Sequence, residues 1–337
     1  MDDLGRRREG HLSRSLVTGG HGFVASHLVR ALLERGEDVR VLDRPAPREA
    51  DLGGPRRSAL ELLGIEGDVE LLETDLRDAD GVDAGVEGCD SVFHLGAQTI
   101  VGVARSSPVE TLEVNVRGAW NVFEACRLRE VGRVVFASSD KAYGTSPELP
   151  YREDFPLRAV HPYDASKAAA DIVARSYANA YGLQIAVTRF ANIYGGGDLN
   201  FSRLIPEAAV AVIDGRAPAI RSDGSPERDF LYVDDAVSAY LAIAAELAVG
   251  NGSGEAFNAG GERPHPVREV VGLIAELGGA GIEPDYRGTG SPDGEIDRQF
   301  VDSSKLREVT GWRPAFELRE GLARTLDWYR EHPEARP

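Results

Sequence analysis

The stretch Ser15-Leu-Val-Thr-Gly-Gly-His-Gly-Phe-Val-Ala25 decides how the chain is read. A short apolar run ends in glycines and passes directly into a helical pattern. Gly19 permits a tight turn, and Gly22 lets backbone N–H groups at a helix N-terminus approach a pyrophosphate. Phe23 and Val24, the first helical residues, join these glycines as cofactor-binding candidates. Ala25 is small enough for close helix–strand packing. An acidic residue answers at the end of the next apolar run: Asp43 lies 21 residues beyond Gly22. A carboxylate there accepts hydrogen bonds from an adenosine ribose. The combination points to a dinucleotide cofactor. Asp43 favours NAD over NADP, although Arg44 beside it is placed to meet a 2′-phosphate.

Working outward, short β-branched or apolar runs alternate with longer helical patterns through the first two thirds of the chain, the pattern of βαβ units and a parallel sheet. The runs predict strands at Ser15–Thr18, Asp38–Leu42, Val69–Glu73, Ser91–Leu95, Arg133–Ser138 and Gln184–Arg189. Helices are predicted near Gly22–Arg35, Pro108–Glu130 and Tyr163–Tyr181. After Arg189 glycines and prolines cluster and the elements shorten, which places a boundary near residue 190. Residues 1–190 then form a dinucleotide-binding domain and 191–337 a smaller lobe. The alanine-rich Asp234–Ala248 reads as a helix returning to the first domain. The stretch 45–66 carries no clear pattern, and no internal repeat is present.

Composition bounds the function. The chain has 337 residues, 42% of them hydrophobic, enough for a packed core in two lobes. Its 38 basic residues against 55 acidic ones give a formal charge of −17. That argues against nucleic acid, which demands a basic face, and against an anionic lipid surface. An anionic substrate must be held by a local arginine pocket in a repulsive overall field. Only Lys141, Lys167 and Lys305 among the basic residues are lysine. Cys89 and Cys126 are isolated, so neither a disulfide nor a metal site is expected. No apolar run reaches the roughly 20 residues that span a bilayer, and Met1–Arg14 is polar and charged. A cytoplasmic protein is the expectation.

The second constellation is Tyr163-Asp-Ala-Ser-Lys167. Positions i and i+4 share a helix face. A lysine ammonium there is expected to lower the tyrosine pKa and make Tyr163 an acid/base for a substrate hydroxyl, while Lys167 also meets the nicotinamide ribose. Ser138-Ser139 ends an intervening strand. His94 reads as a satisfied core residue, His21 as a local loop residue and Trp312 as packing.

Thr18-Gly-Gly-His-Gly-Phe23, His94-Leu-Gly-Ala-Gln98, Asn115, Ser139, Tyr163/Lys167 and Arg189-Phe-Ala-Asn-Ile-Tyr-Gly195 together resemble the extended short-chain dehydrogenase/reductase family, the NAD-dependent nucleotide-sugar epimerases and dehydratases. The resemblance spans roughly residues 14–332. It implies an α/β fold: a Rossmann-type doubly wound parallel sheet with a smaller C-terminal α/β substrate lobe. It also implies tightly held NAD, a nucleotide-diphosphate sugar as substrate, and a Ser139/Tyr163/Lys167 triad. By matching position, Asp75 and Leu76 would lie against adenine, and Leu95, Gly96 and Ala97 against the cofactor. Gln98, Asn192 and Arg228 would meet the substrate, with Arg203 and Arg221 as further phosphate or base contacts. The helices at Pro108–Glu130 and Tyr163–Tyr181 resemble those through which the family forms homodimers.

The branch is marked by Ser138-Ser-Asp-Lys-Ala-Tyr-Gly144. Sugar 4,6-dehydratases of this kind carry an acid–base pair after the catalytic hydroxyl residue, here Asp140-Lys141. Oxidation at sugar carbon 4 acidifies the proton on carbon 5. A base, Lys141, removes it, and an acid, Asp140, protonates the departing 6-hydroxyl. Return of the hydride to carbon 6 gives a 4-keto-6-deoxy sugar. The roles require a neutral lysine, favoured by desolvation and cationic neighbours, and a protonated aspartate, favoured by burial or another carboxylate. Gly195-Gly-Gly-Asp-Leu-Asn-Phe-Ser-Arg-Leu-Ile-Pro206, Ala97-Gln98 and Glu295…Gln299 ahead of Val301-Asp-Ser-Ser-Lys305 look like the CDP-glucose 4,6-dehydratases. Pro226-Glu-Arg-Asp-Phe-Leu-Tyr-Val-Asp-Asp235 follows the general family form. Two other readings stay open: a UDP- or GDP-sugar epimerase, and a non-catalytic NAD-binding regulator.

Overall fold

The computed structural model describes residues 13–45, 57–279, 281–290 and 296–337; the charged N-terminal residues up to Leu12, and Glu295, lie outside them. Six strands follow the apolar runs: β1 (Arg14–Thr18), β2 (Asp38–Asp43), β3 (Glu70–Glu73), β4 (Ser91–His94), β5 (Arg133–Ala137) and β6 (Ile185–Phe190). The C-terminal part adds β7 (Asn192–Tyr194), β8 (Ala219–Ile220), β9 (Glu227–Arg228), β10 (Phe230–Tyr232), β11 (Ala256–Ala259), β12 (His265–Pro266), β13 (Asp285–Tyr286) and β14 (Arg298–Gln299). The main sheet has seven parallel strands in the order β11-β6-β5-β4-β1-β2-β3. Strand order reverses between β1 and β4, and in such sheets the crevice beyond the strand C-termini there is the ligand site. Thr18, Asp43, His94 and Ala137 all end strands at that edge.

The helices form where their boundary signals say they should. Phe23–Glu34 starts from Gly22, whose φ of −79° and ψ of 159° are extended. Pro162–Tyr181 begins with proline in its first turn and ends at Gly182 in the left-handed conformation, φ +73°. Val233–Ala248 returns from the C-terminal part to pack on the Phe23–Glu34 helix and the sheet. A second segment returns beside it: Ala256–Ala259, as β11, pairs in parallel with β6. The helix expected over Pro108–Glu130 is interrupted. Pro108–Leu112 and Gly118–Leu128 are α-helical, but Glu113–Arg117 is π-helical. The wider turn carries Asn115 inward, where Nδ2 donates to Ser166 Oγ at 2.9 Å and to the Gln98 carbonyl at 3.0 Å.

The smaller lobe is built on short strand pairs, β7 with β10, β9 between β12 and β14, and β8 with β13. Its helices Leu204–Ile213, Val267–Gly278 and Leu318–Glu331 pack together around Val210, Val270, Ile274, Leu322 and Leu326. Trp312, read as packing in the smaller lobe, packs instead in the main core, and its Nε1 donates to Ser238 of the Val233–Ala248 helix at 2.8 Å. Lys305 ties the Ser304–Thr310 helix to β11: its ammonium donates to Glu255 Oε2 at 2.6 Å and to the Ala256 carbonyl at 2.9 Å. No helix among the described residues is long and apolar enough to cross a membrane.

Among the described residues, one ion pair has both partners fully buried. Arg189 of β6 meets Asp171 of the Pro162–Tyr181 helix through Nε at 2.8 Å and an η-nitrogen at 2.9 Å, with side chains 1% and 0% exposed. Truncating one partner of a buried pair strands the other charge, at about 3–5 kcal/mol. Asp171→Ala is therefore expected to lose about that much unfolding free energy in urea denaturation. A loss comparable to that of an exposed pair, under about 1 kcal/mol, would contradict this account.

Candidate active site

The cofactor side is assembled at the C-terminal ends of β1, β2 and β4. Gly19 adopts φ +75°, and a Cβ there would stand 2.6 Å from Gly96 Cα, so the two loops touch backbone to backbone. Thr18 Oγ1 bridges them, accepting from Gly96 N–H at 2.9 Å and bonding His94 Nδ1 at 2.7 Å. His94 is buried and stacks on Phe136, and burial pushes its pKa down to about 3, so it stays neutral. It is a core residue. The side chains of Phe23 and Val24 pack into the hydrophobic interior, which leaves their first-turn N–H groups for a phosphate. Asp43 accepts backbone N–H bonds from His21 at 2.9 Å and Arg44 at 2.8 Å, while burial raises its pKa.

Asp75 is bound by its neighbour Arg77, whose Nε lies at 2.8 Å, and these hydrogen bonds hold its carboxyl below the usual range. Leu76 is buried, and its side chain underlies both Gly96 and Gly118. Leu95 packs on the main core, and Ala97 is half-buried. Gln98 N–H donates to Asn115 Oδ1 at 2.7 Å, fixing the loop that follows β4. A glycine turn without room for a Cβ, a free helix start and a backbone-oriented carboxylate at the end of β2 fit a dinucleotide.

The catalytic side begins with Ser139, directly after β5. Its hydroxyl donates to Asp140 Oδ1 at 3.2 Å and accepts from Lys141 N–H at 3.2 Å, capping the 3₁₀ turn Asp140–Tyr143. It also acts on the Tyr163 phenol. The Lys167 ammonium donates to the Ala137 carbonyl at 2.9 Å and lies 5.6 Å from the centre of the Phe136 ring. Burial lowers its pKa to about 8. The expected depression of Tyr163 by Lys167 is not what the structure gives. Burial pushes the phenol up to about 12, and the first of the influences that oppose it is Arg203. The physical reason is that desolvation of the buried phenol outweighs the cations near it.

Asp140 is buried, and its Oδ2 has no hydrogen-bond partner among the described residues. Burial raises its pKa to about 6, opposed by Lys141, Ser139 and Arg228. Lys141 is half-buried and lies within electrostatic reach of two carboxylates, Asp140 and Asp164. Asp164 was not singled out from the sequence, although it sits inside the Tyr163–Lys167 segment. It too is buried and raised, first by desolvation.

The substrate candidates divide. Arg228 is buried on β9, donates to the Glu227 and Asp297 carbonyls, and reaches Asp140 electrostatically. Asn192 Nδ2 donates to the Asp229 carbonyl at 3.1 Å, binding β7 to its neighbour. Arg203 pairs with Asp198 at 2.9 Å at the start of the Leu204–Ile213 helix. Arg221 is exposed just past β8 in the smaller lobe. Asp229, buried and raised to about 7 mainly by desolvation, accepts from Gly261 N–H and joins β9 to the loop after β11.

Residues 15–260 match the NAD dependent epimerase/dehydratase family. A UDP-glucose 4-epimerase of Mycolicibacterium smegmatis is 35% identical over 94% of this chain and 98% of that protein. A dTDP-glucose 4,6-dehydratase of Streptomyces antibioticus is 32% identical over 94% of this chain and 92% of its own length. Among solved structures, a dTDP-glucose 4,6-dehydratase of Streptomyces venezuelae with NAD bound superposes with a TM-score of 0.83 at 32% identity, covering 95% of this chain and 98% of that one. The glycine turn, Asp43, Ser139, Tyr163 and Lys167 thus stand in a chain that belongs to the NAD-dependent epimerase/dehydratase family and is an enzyme of the nucleotide-sugar epimerase and 4,6-dehydratase kind.

Proposed function

We propose that this enzyme is a nucleotide-sugar 4,6-dehydratase, and the observation that carries the reading is the buried Asp140 next to Lys141 immediately behind Ser139. An epimerase has no hydroxyl to expel and no use for a carboxyl whose proton is held up to about pH 6 by burial. NAD, when bound, supplies the two-electron oxidant and reductant. Gly19, Gly22 and Asp43 would hold it at the β1–β4 crevice, and Lys167 would meet its ribose. Ser139 and Tyr163 address the 4-hydroxyl, and Tyr163 Oη receives its proton in the phenolate form, which burial makes the minor form of this residue.

Elimination then falls to the pair. Lys141 Nζ takes the proton from carbon 5, and Asp140 gives its proton to the departing 6-hydroxyl, which leaves as water. As carbon 6 is reduced, Lys141 gives its proton back to carbon 5, and the proton that Tyr163 took from the 4-hydroxyl makes good the one Asp140 gave up, so every group ends as it began. The desolvation that raises Asp140 is what supplies the acid. Arg228, Asn192 and Arg203 are the residues proposed to meet the diphosphate. Arg221, exposed in the smaller lobe, is proposed as a contact to the nucleotide's base.

The segment Gly195–Pro206 supports CDP-glucose as substrate, whereas the relatives named above are a UDP-glucose epimerase and dTDP-glucose dehydratases. The epimerase reading is kept as the second one because a UDP-glucose 4-epimerase is 35% identical over nearly the full chain. Exposed Val109 and Ile172, on the two helices assigned to dimer formation, support a homodimer.

Incubation with CDP-, dTDP-, UDP- and GDP-glucose, followed by mass spectrometry, separates the readings: a product lighter by one water means dehydration, and an isomer of unchanged mass means epimerisation. Lys141→Met is expected to slow dehydration by about 10²–10⁴-fold; near wild-type turnover would remove its assigned role. The pH dependence has a definite sign. The acid form of Asp140 exists below its raised pKa of about 6 and is lost above it. Because the mechanism also requires a neutral amine, whose fraction rises with pH, the Asp140 limb is read as the ratio of wild-type to Asp140→Asn kcat/KM, which is expected to fall up to tenfold per pH unit above that point. Asp140→Asn is expected to be slow and to lack this limb.

A further inference from the structure

His21 occupies the middle of the glycine turn and takes no part in the chemistry described so far. Its backbone is committed: the N–H donates to Asp43 Oδ2 at 2.9 Å, and the carbonyl accepts from Ala59 N–H at 3.2 Å. Its ring is not. Nδ1 and Nε2 are both shielded from solvent, and neither has a hydrogen-bond partner among the described residues. A neutral imidazole carries one donor and one acceptor. Leaving a buried polar group unpaired costs on the order of 1–3 kcal/mol, and folded proteins keep few such groups.

The neighbouring carboxylate indicates what the ring is for. Each Asp43 oxygen already accepts one backbone N–H, from His21 and from Arg44. These bonds fix the plane of the carboxylate and leave each oxygen a further lone pair. A ribose hydroxyl is both donor and acceptor. When it donates to Asp43 its own acceptor sites remain, and an ionised carboxylate has no proton to offer them. The imidazole N–H of His21, on the residue whose backbone already holds Asp43, does. We propose that His21 is a cofactor-binding residue whose imidazole donates to the adenosine ribose hydroxyl that Asp43 accepts from. The adenosine half of NAD is thus read by a donor–acceptor pair rather than by Asp43 alone. The proposal rests on NAD as cofactor and is independent of whether the reaction is dehydration or epimerisation. It also bears on cofactor choice, because a 2′-phosphate would replace a donor hydroxyl with an anion set against the Asp43 carboxylate.

The test is calorimetric titration of wild type, His21→Phe and His21→Gln with NAD⁺, ADP-ribose and nicotinamide mononucleotide. Cofactor carried through purification is quantified after acid release as a second readout. Phenylalanine fills the ring volume without hydrogen-bonding. His21→Phe is expected to weaken NAD⁺ and ADP-ribose about tenfold, the equivalent of roughly 1.4 kcal/mol, and to leave the mononucleotide unchanged. His21→Gln, which keeps a donor, is expected to stay within about threefold of wild type. Undiminished ADP-ribose affinity in His21→Phe overturns the proposal. So does a parallel loss of mononucleotide binding, which would mark a distorted turn. Equal losses in the two variants also overturn it, since ring shape would then be what matters.

Discussion

Arg189 and Asp171 meet where neither charge has water to fall back on, and three separate parts of the active site depend on that meeting. Asp171 belongs to the helix that carries Tyr163 and Lys167. Arg189 belongs to β6, and its guanidinium also donates to the Tyr143 hydroxyl at 3.0 Å and to the Glu153 carbonyl. Tyr143 ends the turn that holds Asp140 and Lys141, stacks on Tyr151 and donates to Asn258 of β11 at 2.8 Å. One cation therefore fixes the helix of Tyr163 and Lys167, the turn of Asp140 and Lys141 and the edge of the sheet relative to one another. A hydrophobic pair could fill the volume, but it could not fix direction through five donors in a rigid fork.

The same desolvation sets the electrostatics of the site. Asp140, Asp164 and Asp229 are all buried, and burial is the leading cause of each raised pKa. In a chain of formal charge −17, ionised carboxylates at this density would repel a sugar diphosphate. Shifting them toward the protonated form relieves that repulsion locally, and Arg228 works in the same direction next to Asp140. Burial thus sets the charge of these carboxyls and softens the field around them.

Much of this was legible in the chain itself. Strands β1, β2, β4, β5 and β6 announced themselves because parallel strands buried on both faces are continuous apolar runs. Strand β11 did not: Ala-Phe-Asn-Ala is short, and its asparagine is occupied by Tyr143 and the Tyr151 carbonyl. Spacing alone put Tyr163 and Lys167 on one face, but it could not say that Lys167 would turn to the Ala137 carbonyl. Nor does any local pattern distinguish a π turn at Asn115 from the α-helix around it, since the difference lies in a contact to Ser166. Lys305, unexplained by its surroundings in sequence, has a plain structural use against Glu255 and the face of Phe257. What escaped sequence reading is consistently what depends on partners distant along the chain.

Strand β11 carries a further implication, for synthesis rather than catalysis. It is the outer strand beside β6, and the whole of β7 to β10 is spooled out between the two. While the chain emerges from a ribosome, β6 must wait with an open edge until residue 259 is free, and an unpaired edge of Ile-Ala-Val-Thr-Arg-Phe is a template for the wrong partner. The smaller lobe is what delays closure and also what delivers the missing strand. A nascent chain of this architecture therefore has a vulnerable interval whose length is set by the translation of the segment between β6 and β11.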